Sequence, residues 1–295
     1  SFQLESSKSF APDLAIWTNF YSNHLDRHKT LDEYKKAKIN IYKYQKQSQK
    51  ILLNAQLLEH IKQKELEKIS GELSFFSEKA PRDKQIKSFS ENTRWFYSKD
   101  KNLVLNFKNK ENIIAKLPLN EKTFLANWIA LYSALQLIKI PAPSNEIVET
   151  IKPISEHRIE YLGSANSIHF YNDSKSTIPQ ATIAAIQKLK NKQITLIIGG
   201  ISKGVDREFF IKEISNKVQH VICFGIESGQ LTKWCEKYSI EHSKTDNLEN
   251  SIILAIKNTP SKGYILFSPA GASFDLYSNY IERGNHFKKI IKKYL

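Results

Sequence analysis

The chain has no methionine, not even at position 1, and only two cysteines among its 295 residues. A sequence without an initiator residue is expected to start inside a longer protein or to have been processed. Cys223 and Cys235 have neither metal-ligand spacing nor the numbers for a disulfide framework. Cys223, inside Val221-Ile222-Cys223-Phe224, reads as a buried thiol, and this usage fits a reducing cytoplasm. No run of about 18 apolar residues occurs, so no membrane partner is expected. The opening Ser1-Phe2-Gln3-Leu4-Glu5 lacks the charged and apolar regions of a signal peptide. Arginine is scarce too: 6 of the 44 basic residues, which leaves a net charge of +14 to 38 lysines spread along the chain. Diffuse lysine reads as a solvated surface, so no nucleic-acid partner is expected. The Gly-x-x-x-x-Gly-Lys-Ser/Thr phosphate loop is missing as well.

What remains is a globular composition, 41% hydrophobic and 25% charged, long enough for two domains. The richest stretch is His169-Phe170-Tyr171-Asn172-Asp173-Ser174-Lys175-Ser176-Thr177. It reads as a strand feeding a polar loop and then a helix near Pro179. Asp173 or Ser174 alone would be a helix cap, but a lysine beside a helix N-terminus is opposed by the dipole. The combination points to anion binding.

Before this stretch, Leu14 to Phe20 and Ile51 to Asn54 read as strands, Gln56 to Lys68 as helical, and Lys79 to Glu91 as a loop. Arg94 to Tyr97 and Leu103 to Phe107 read as hairpin strands. Thr30-Leu31-Asp32-Glu33 is a capping box opening a helix that is expected to run to about Gln45. On that helix Leu31, Tyr34, Ile41 and Tyr42 form an apolar stripe with Lys38 in its middle. A lysine there snorkels to water, or is desolvated and becomes a reactive neutral amine. Glu121 to Ile138 reads as a long helix with Phe124, Trp128, Leu131, Leu135 and Ile138 facing the core. Asn127, beside that face, is open to either a ligand or a surface role.

Pro141, Pro143 and Pro153 bracket a short helix and mark a boundary, placing domains at 1–150 and 151–295. Beyond it, Ile159 to Leu162 and Ile168 to Tyr171 read as a hairpin joined by Gly163-Ser164-Ala165-Asn166. Ile194 to Ile198, His220 to Phe224 and Tyr264 to Phe267 are apolar strands alternating with helices, an α/β fold with a largely parallel sheet. Ligands of such sheets bind beyond the carboxyl ends of the strands. Three ends carry chemistry: Asp173 to Thr177, Gly199-Gly200-Ile201-Ser202-Lys203-Gly204-Val205-Asp206, and Ser268-Pro269-Ala270-Gly271-Ala272-Ser273, the last expected to open a helix at Phe274.

Together with Asn23-His24-Leu25-Asp26-Arg27, His157-Arg158 and Arg283-Gly284-Asn285-His286-Phe287, these motifs resemble the D-glutamate-adding branch of the Mur ligases. The resemblance implies the remainder of a central ATPase domain followed by a Rossmann-like C-terminal domain that receives the amino acid. The domain for the UDP-sugar, the phosphate loop and a metal-binding glutamate before Ser1 are then missing, and this chain alone is expected to be inactive. The implied reaction joins D-glutamate to UDP-N-acetylmuramoyl-L-alanine through an acyl phosphate, with ATP and magnesium, in a cytoplasmic monomer that builds peptidoglycan precursor.

By the same resemblance, His24 matches a magnesium ligand and Lys38 the lysine that is carbamylated to serve the metal site. Both would be catalytic, as would Lys175. Asn127, Arg158, Asp173 and Lys175 would meet the nucleotide, while Thr177, Lys203, Ser273 and Tyr280 would hold D-glutamate. Two departures stand out. Thr123-Phe124 replaces a usual His-Asn pair, and Tyr280 replaces a usual phenylalanine. The competing readings are another Mur or folylpolyglutamate-type ligase, and a non-catalytic nucleotide- or anion-binding module.

Overall fold

The computed structural model describes residues 2–118, 124–150, 155–189 and 193–295. It divides into two compact units: Ser1–Tyr21 with His28–Pro153, and Ser22–Arg27 with Ile154–Leu295. Among the described residues, twelve strands form two six-stranded sheets.

In the first unit the strands lie in chain order: β1 (Leu14–Trp17), β2 (Lys50–Asn54), β3 (Glu72–Ser77), β4 (Arg94–Lys99), β5 (Asn102–Phe107) and β6 (Lys110–Lys116). β1 to β4 are parallel, and β4, β5 and β6 form an antiparallel meander. Alternation along the strands feeds two cores. Ile51, Leu53, Phe75 and Trp95 pack with Tyr34, Tyr42, Leu57 and Leu66. Leu52, Phe76 and Phe96 pack with Trp128, Ile129, Tyr132 and Leu137 of helix α2 (Leu125–Leu137).

Helix α1 (Leu31–Ile39) starts where expected, with Thr30 Oγ1 accepting the Glu33 N–H at 3.2 Å. It ends six residues before Gln45. Asn40 leaves the helical ladder, donating its side-chain N–H to the Leu4 carbonyl at 2.8 Å, and the chain continues in turns. Of the expected apolar stripe Tyr34 and Tyr42 are buried and Ile41 packs against the same core, while Leu31 is exposed and Ala37 is buried in its place. Residues 56–68 are not one helix but two short pieces, Ala55–Glu59 and Gln63–Leu66. The expected loop holds a helical turn, Asp83–Lys87. On α2, Trp128 faces the core as expected, whereas Leu131 and Ile138 are exposed and Ile129, Tyr132, Ser133 and Leu137 are buried. A helix apolar nearly all round does not reveal by periodicity which side is covered. The expected start of this helix at Glu121, and Thr123, lie outside the described residues.

The second sheet runs β11 (His242–Lys244), β10 (His220–Cys223), β9 (Ile194–Ile198), β12 (Tyr264–Phe267), β8 (Ile168–Asn172) and β7 (Glu160–Ala165). All pairings are parallel except the β7–β8 hairpin at the edge. The hairpin turn falls at Asn166-Ser167, both at positive φ, with Gly163 inside the strand beside a register shift. Every residue of β9 is buried, so both sheet faces are covered. The helices are α3 (Pro179–Leu189), α4 (Glu208–Ile214), α5 (Ser228–Lys237), α6 (Leu248–Asn258) and α7 (Tyr280–Ile291). One face packs Phe170, Ile197, Ile222 and Phe267 against Ile252 of α6 and Phe287 and Ile290 of α7. Cys223 and Cys235 are both free and buried.

No helix opens at Phe274. Residues 274–276 make a single turn, with the Leu276 and Tyr277 N–H groups donating to the Ser273 carbonyl at 3.2 and 2.9 Å. The helix begins at Tyr280, where Asn279 Oδ1 caps the Ile281 and Glu282 N–H groups.

Candidate active site

Because β8, β9, β10 and β12 are parallel, their carboxyl ends share one rim, and the loops leaving them are fastened to one another. The Gly199 N–H donates to the Pro269 carbonyl at 3.0 Å, and Ile201 and Ala272 exchange two backbone bonds at 2.9 and 2.8 Å. This brings the loop bearing Lys203 against the loop bearing Ser273. The Lys203 ammonium lies 5.5 Å above the Phe274 ring. Lys203 is half-buried and Ser273 is buried.

The Asp173 loop is the most enclosed part of the rim. Neither Asp173 nor Ser174 caps a helix, since α3 begins only at Pro179. Asp173 Oδ2 instead accepts the Ser176 and Ser268 hydroxyls, each at 2.5 Å, and its Oδ1 accepts the Ile159 N–H at 3.0 Å. Burial raises the Asp173 carboxyl to about 6 even though these donors and the nearby Arg158 charge act to lower it. The exposed Arg158 sits on a turn locked to this loop. His157 accepts the Lys175 N–H on its carbonyl at 2.9 Å, and Asn172 Nδ2 bonds His157 Nδ1 at 2.9 Å. Ile159 is held at φ 46°, which a β-branched residue adopts only where its surroundings impose it. Arg158, Asp173 and Lys175 are thereby brought together.

Tyr280 joins them. Its ring lies 5.6 Å from the Lys175 ammonium, and its carbonyl accepts the Ser174 hydroxyl at 2.8 Å. Thr177 follows closely, its N–H donating to the Lys175 carbonyl at 3.0 Å.

Three side chains of this rim were given no role in the sequence reading. Arg207 and Arg283 are 0% and 1% exposed, two of only six arginines, and both spend their donors on loop carbonyls. Arg283 donates to the Gly271 and Ser174 carbonyls at 3.0 and 2.8 Å and to Ser174 Oγ at 3.1 Å. Burial lowers its guanidinium to about 10. Arg207 bonds the Gly199 and Gly200 carbonyls and Glu227. The signal was the scarcity itself: a lysine-rich chain that keeps an arginine at a given place uses its planar fork.

Three candidates remain. His24, at φ 57°, belongs to the short 22–27 segment grouped with the second unit, and its N–H bonds Asn23 Oδ1 at 2.9 Å. Lys38 and Asn127 belong to the first unit. Lys38 is half-buried, its ammonium is 5.2 Å from the Tyr34 ring, and desolvation lowers its pKa. Asn127 is exposed in the first turn of α2.

A largely parallel sheet with lysine-bearing loops at its carboxyl rim defines an α/β protein, and known proteins narrow the class. Residues 2–134 match the Mur ligase middle domain. The fold is shared with MurF from Acinetobacter baumannii, at TM-score 0.64 and 16% identity over 96% of this chain and 59% of that one. It is shared also with Thermotoga maritima MurF in complex with ADP, at TM-score 0.59 and 13% identity over 96% and 63%.

Within that class the sequence is more specific. The chain is 31% identical to the UDP-N-acetylmuramoylalanine–D-glutamate ligase of Fervidobacterium nodosum, over 99% of this chain and 61% of that protein. It is 34% identical to the ligase of the same name from Caldanaerobacter subterraneus, over 99% and 62%. The chain is thus homologous, over essentially its whole length, to the D-glutamate-adding Mur ligases, and it spans somewhat over three-fifths of their length.

Proposed function

We propose that this chain supplies part of the nucleotide site and the amino-acid site of an ATP-dependent ligase that joins D-glutamate to UDP-N-acetylmuramoyl-L-alanine. The observation that carries the reading is the cationic rim, where Asp173–Lys175, Lys203 and Ser273 lie on mutually fastened loops. In the reaction the substrate carboxylate attacks the γ-phosphorus of ATP, giving an acyl phosphate and ADP. The amine of D-glutamate then attacks the acyl carbon, forming the amide as phosphate leaves and the amine proton is released.

Arg158 and Lys175 are suited to balance phosphate charge, while Asp173, buried and already accepting three donors, is suited to hold the loop that presents Lys175. Asn127 is assigned to the nucleotide by homology alone. D-Glutamate brings two carboxylates. Lys203 is assigned to one and the Ser273 hydroxyl to the other, with Thr177 and Tyr280 lining the site. Since no helix starts at Phe274, the Ser273 side of the site has no helix dipole to offer.

Magnesium is implied by the family, but these residues alone do not make its site. Among the described residues no three His, Cys, Asp or Glu side chains gather as metal ligands. No described helix is long and apolar enough to cross a membrane. ATP and nucleotide-linked sugars are cytoplasmic compounds, which is where the proposed reaction belongs.

The test is kinetic, in the longer enzyme that contains this chain. Losing a hydrogen bond to a charged group costs roughly 1.5–3 kcal/mol, or about tenfold to a hundredfold in affinity. Lys203→Ala should raise the D-glutamate KM by that amount and Ser273→Ala by less, with the ATP KM nearly unmoved. Unchanged D-glutamate KM and kcat in both variants would refute the assignment.

A further inference from the structure

We infer that Arg207 and Glu227 are positioning residues for Lys203, a partly buried clasp that holds the Gly199–Lys203 loop in the shape that presents its ammonium. The inference rests on the reading of Lys203 as the partner of the amino-acid carboxylate.

The clasp grips the loop at both ends. Arg207 Nη1 donates to the Gly199 carbonyl at 3.0 Å and Nη2 to the Gly200 carbonyl at 3.1 Å. Nη2 also donates to Glu227 Oε2 at 2.5 Å. The other oxygen of Glu227 accepts the Ser202 N–H at 2.9 Å and the Ser202 hydroxyl at 3.0 Å. Every residue from Gly199 to Ser202 except Ile201 is therefore tied to the pair, and Ile201 is tied to Ala272. Lys203 comes next, at φ 54°, in the left-handed region.

A buried ion pair is seldom the most economical way to stabilise a fold, because desolvation offsets most of the attraction. This pair is directed at one loop. Arg207 Nε has no hydrogen-bond partner, while both terminal nitrogens serve loop carbonyls. An apolar residue at 207 would fill the space and leave the Gly199 and Gly200 carbonyls without their donors. The pair's directed bonds thus fix where Lys203 points.

Glu227→Gln keeps the shape and removes the charge that holds both Arg207 and Ser202. In the longer enzyme it should raise the D-glutamate KM about tenfold, the effect of weakening a charge-assisted contact, with the ATP KM within about twofold. In a Lys203→Ala background the same change should add nothing, since the group being positioned is gone. A D-glutamate effect that persists fully in that background, or D-glutamate and ATP KM values that rise together, would overturn the positioning role. If Glu227→Gln folds poorly, Ser202→Ala, which removes one bond, should move the D-glutamate KM the same way by less. The same KM in Ser202→Ala as in the parent would count against the clasp.

A second readout needs no catalysis. In residues 1–295, Glu227→Gln should accelerate amide exchange at Ser202, whose N–H donates to the lost carboxylate, by about tenfold. Unchanged exchange would overturn the clasp itself. If exchange accelerates while Lys203→Ala leaves the D-glutamate KM untouched, the Lys203 reading has failed and the positioning role falls with it.

Discussion

Lys38→Ala in the complete enzyme should abolish turnover, and a small carboxylic acid added to the buffer should restore part of it. Lys38 lies half-buried on the Tyr34 ring, and desolvation favours its neutral form. A neutral amine adds carbon dioxide to give a carbamate and a proton, which turns a cation into an anion at that place. Free carboxylate can substitute for the missing carbamate. The side chain is not part of a core cluster, so the fold should lose less than about 1 kcal/mol. A carbon-13 carbamate signal from labelled bicarbonate, present in the parent enzyme and lost in the variant, would tie the loss to the modification. Full activity of Lys38→Ala would dispose of the proposal.

Gly200→Ala should be the most damaging single methyl in the second unit. Gly200 stands at φ 73°, and a Cβ there would lie 2.1 Å from the Ala272 carbonyl oxygen and 3.0 Å from Arg283 Nη1. The obstacle is backbone, fixed by the two bonds between Ile201 and Ala272, so relief requires parting the loops of two strand ends. Left-handed strain and overpacking together cost roughly 2–5 kcal/mol. Against a typical stability of about 5–15 kcal/mol, this should lower the melting temperature of residues 1–295 by about 10 °C. A melting point within about 2 °C of the parent would show that the rim is far more pliable than described.

These two sites differ in how visible they are from sequence. Lys38 stood out as a charge on an apolar stripe. Gly200 could be recognised as a turn glycine, but the carbonyl it faces comes from a segment 72 residues later. The second sheet was legible because β9, β10 and β12 are continuous apolar runs buried on both faces. β3 was missed because Glu72 and Ser74 interrupt its pattern, β6 because five of its seven residues are exposed, and β11 because it has three residues. The helix expected at Phe274 failed for a different reason. A Ser before an aromatic run imitates a cap, yet the N–H groups of Leu276 and Tyr277 close a single turn on the Ser273 carbonyl. Arg207 and Glu227 lie in loops with no motif to mark them. Only the tertiary structure brings Arg207 onto the carbonyls of Gly199 and Gly200.

The most direct measurement is phosphate release by the longer protein, assayed with each substrate withheld in turn. Release should require ATP, UDP-N-acetylmuramoyl-L-alanine and D-glutamate together, with L-glutamate and diamino acids inert. Residues 1–295 alone, which hold no Gly-x-x-x-x-Gly-Lys-Ser/Thr loop, should release none. Release by the longer protein that ignores D-glutamate, or that runs as well with another amino acid, would contradict the account.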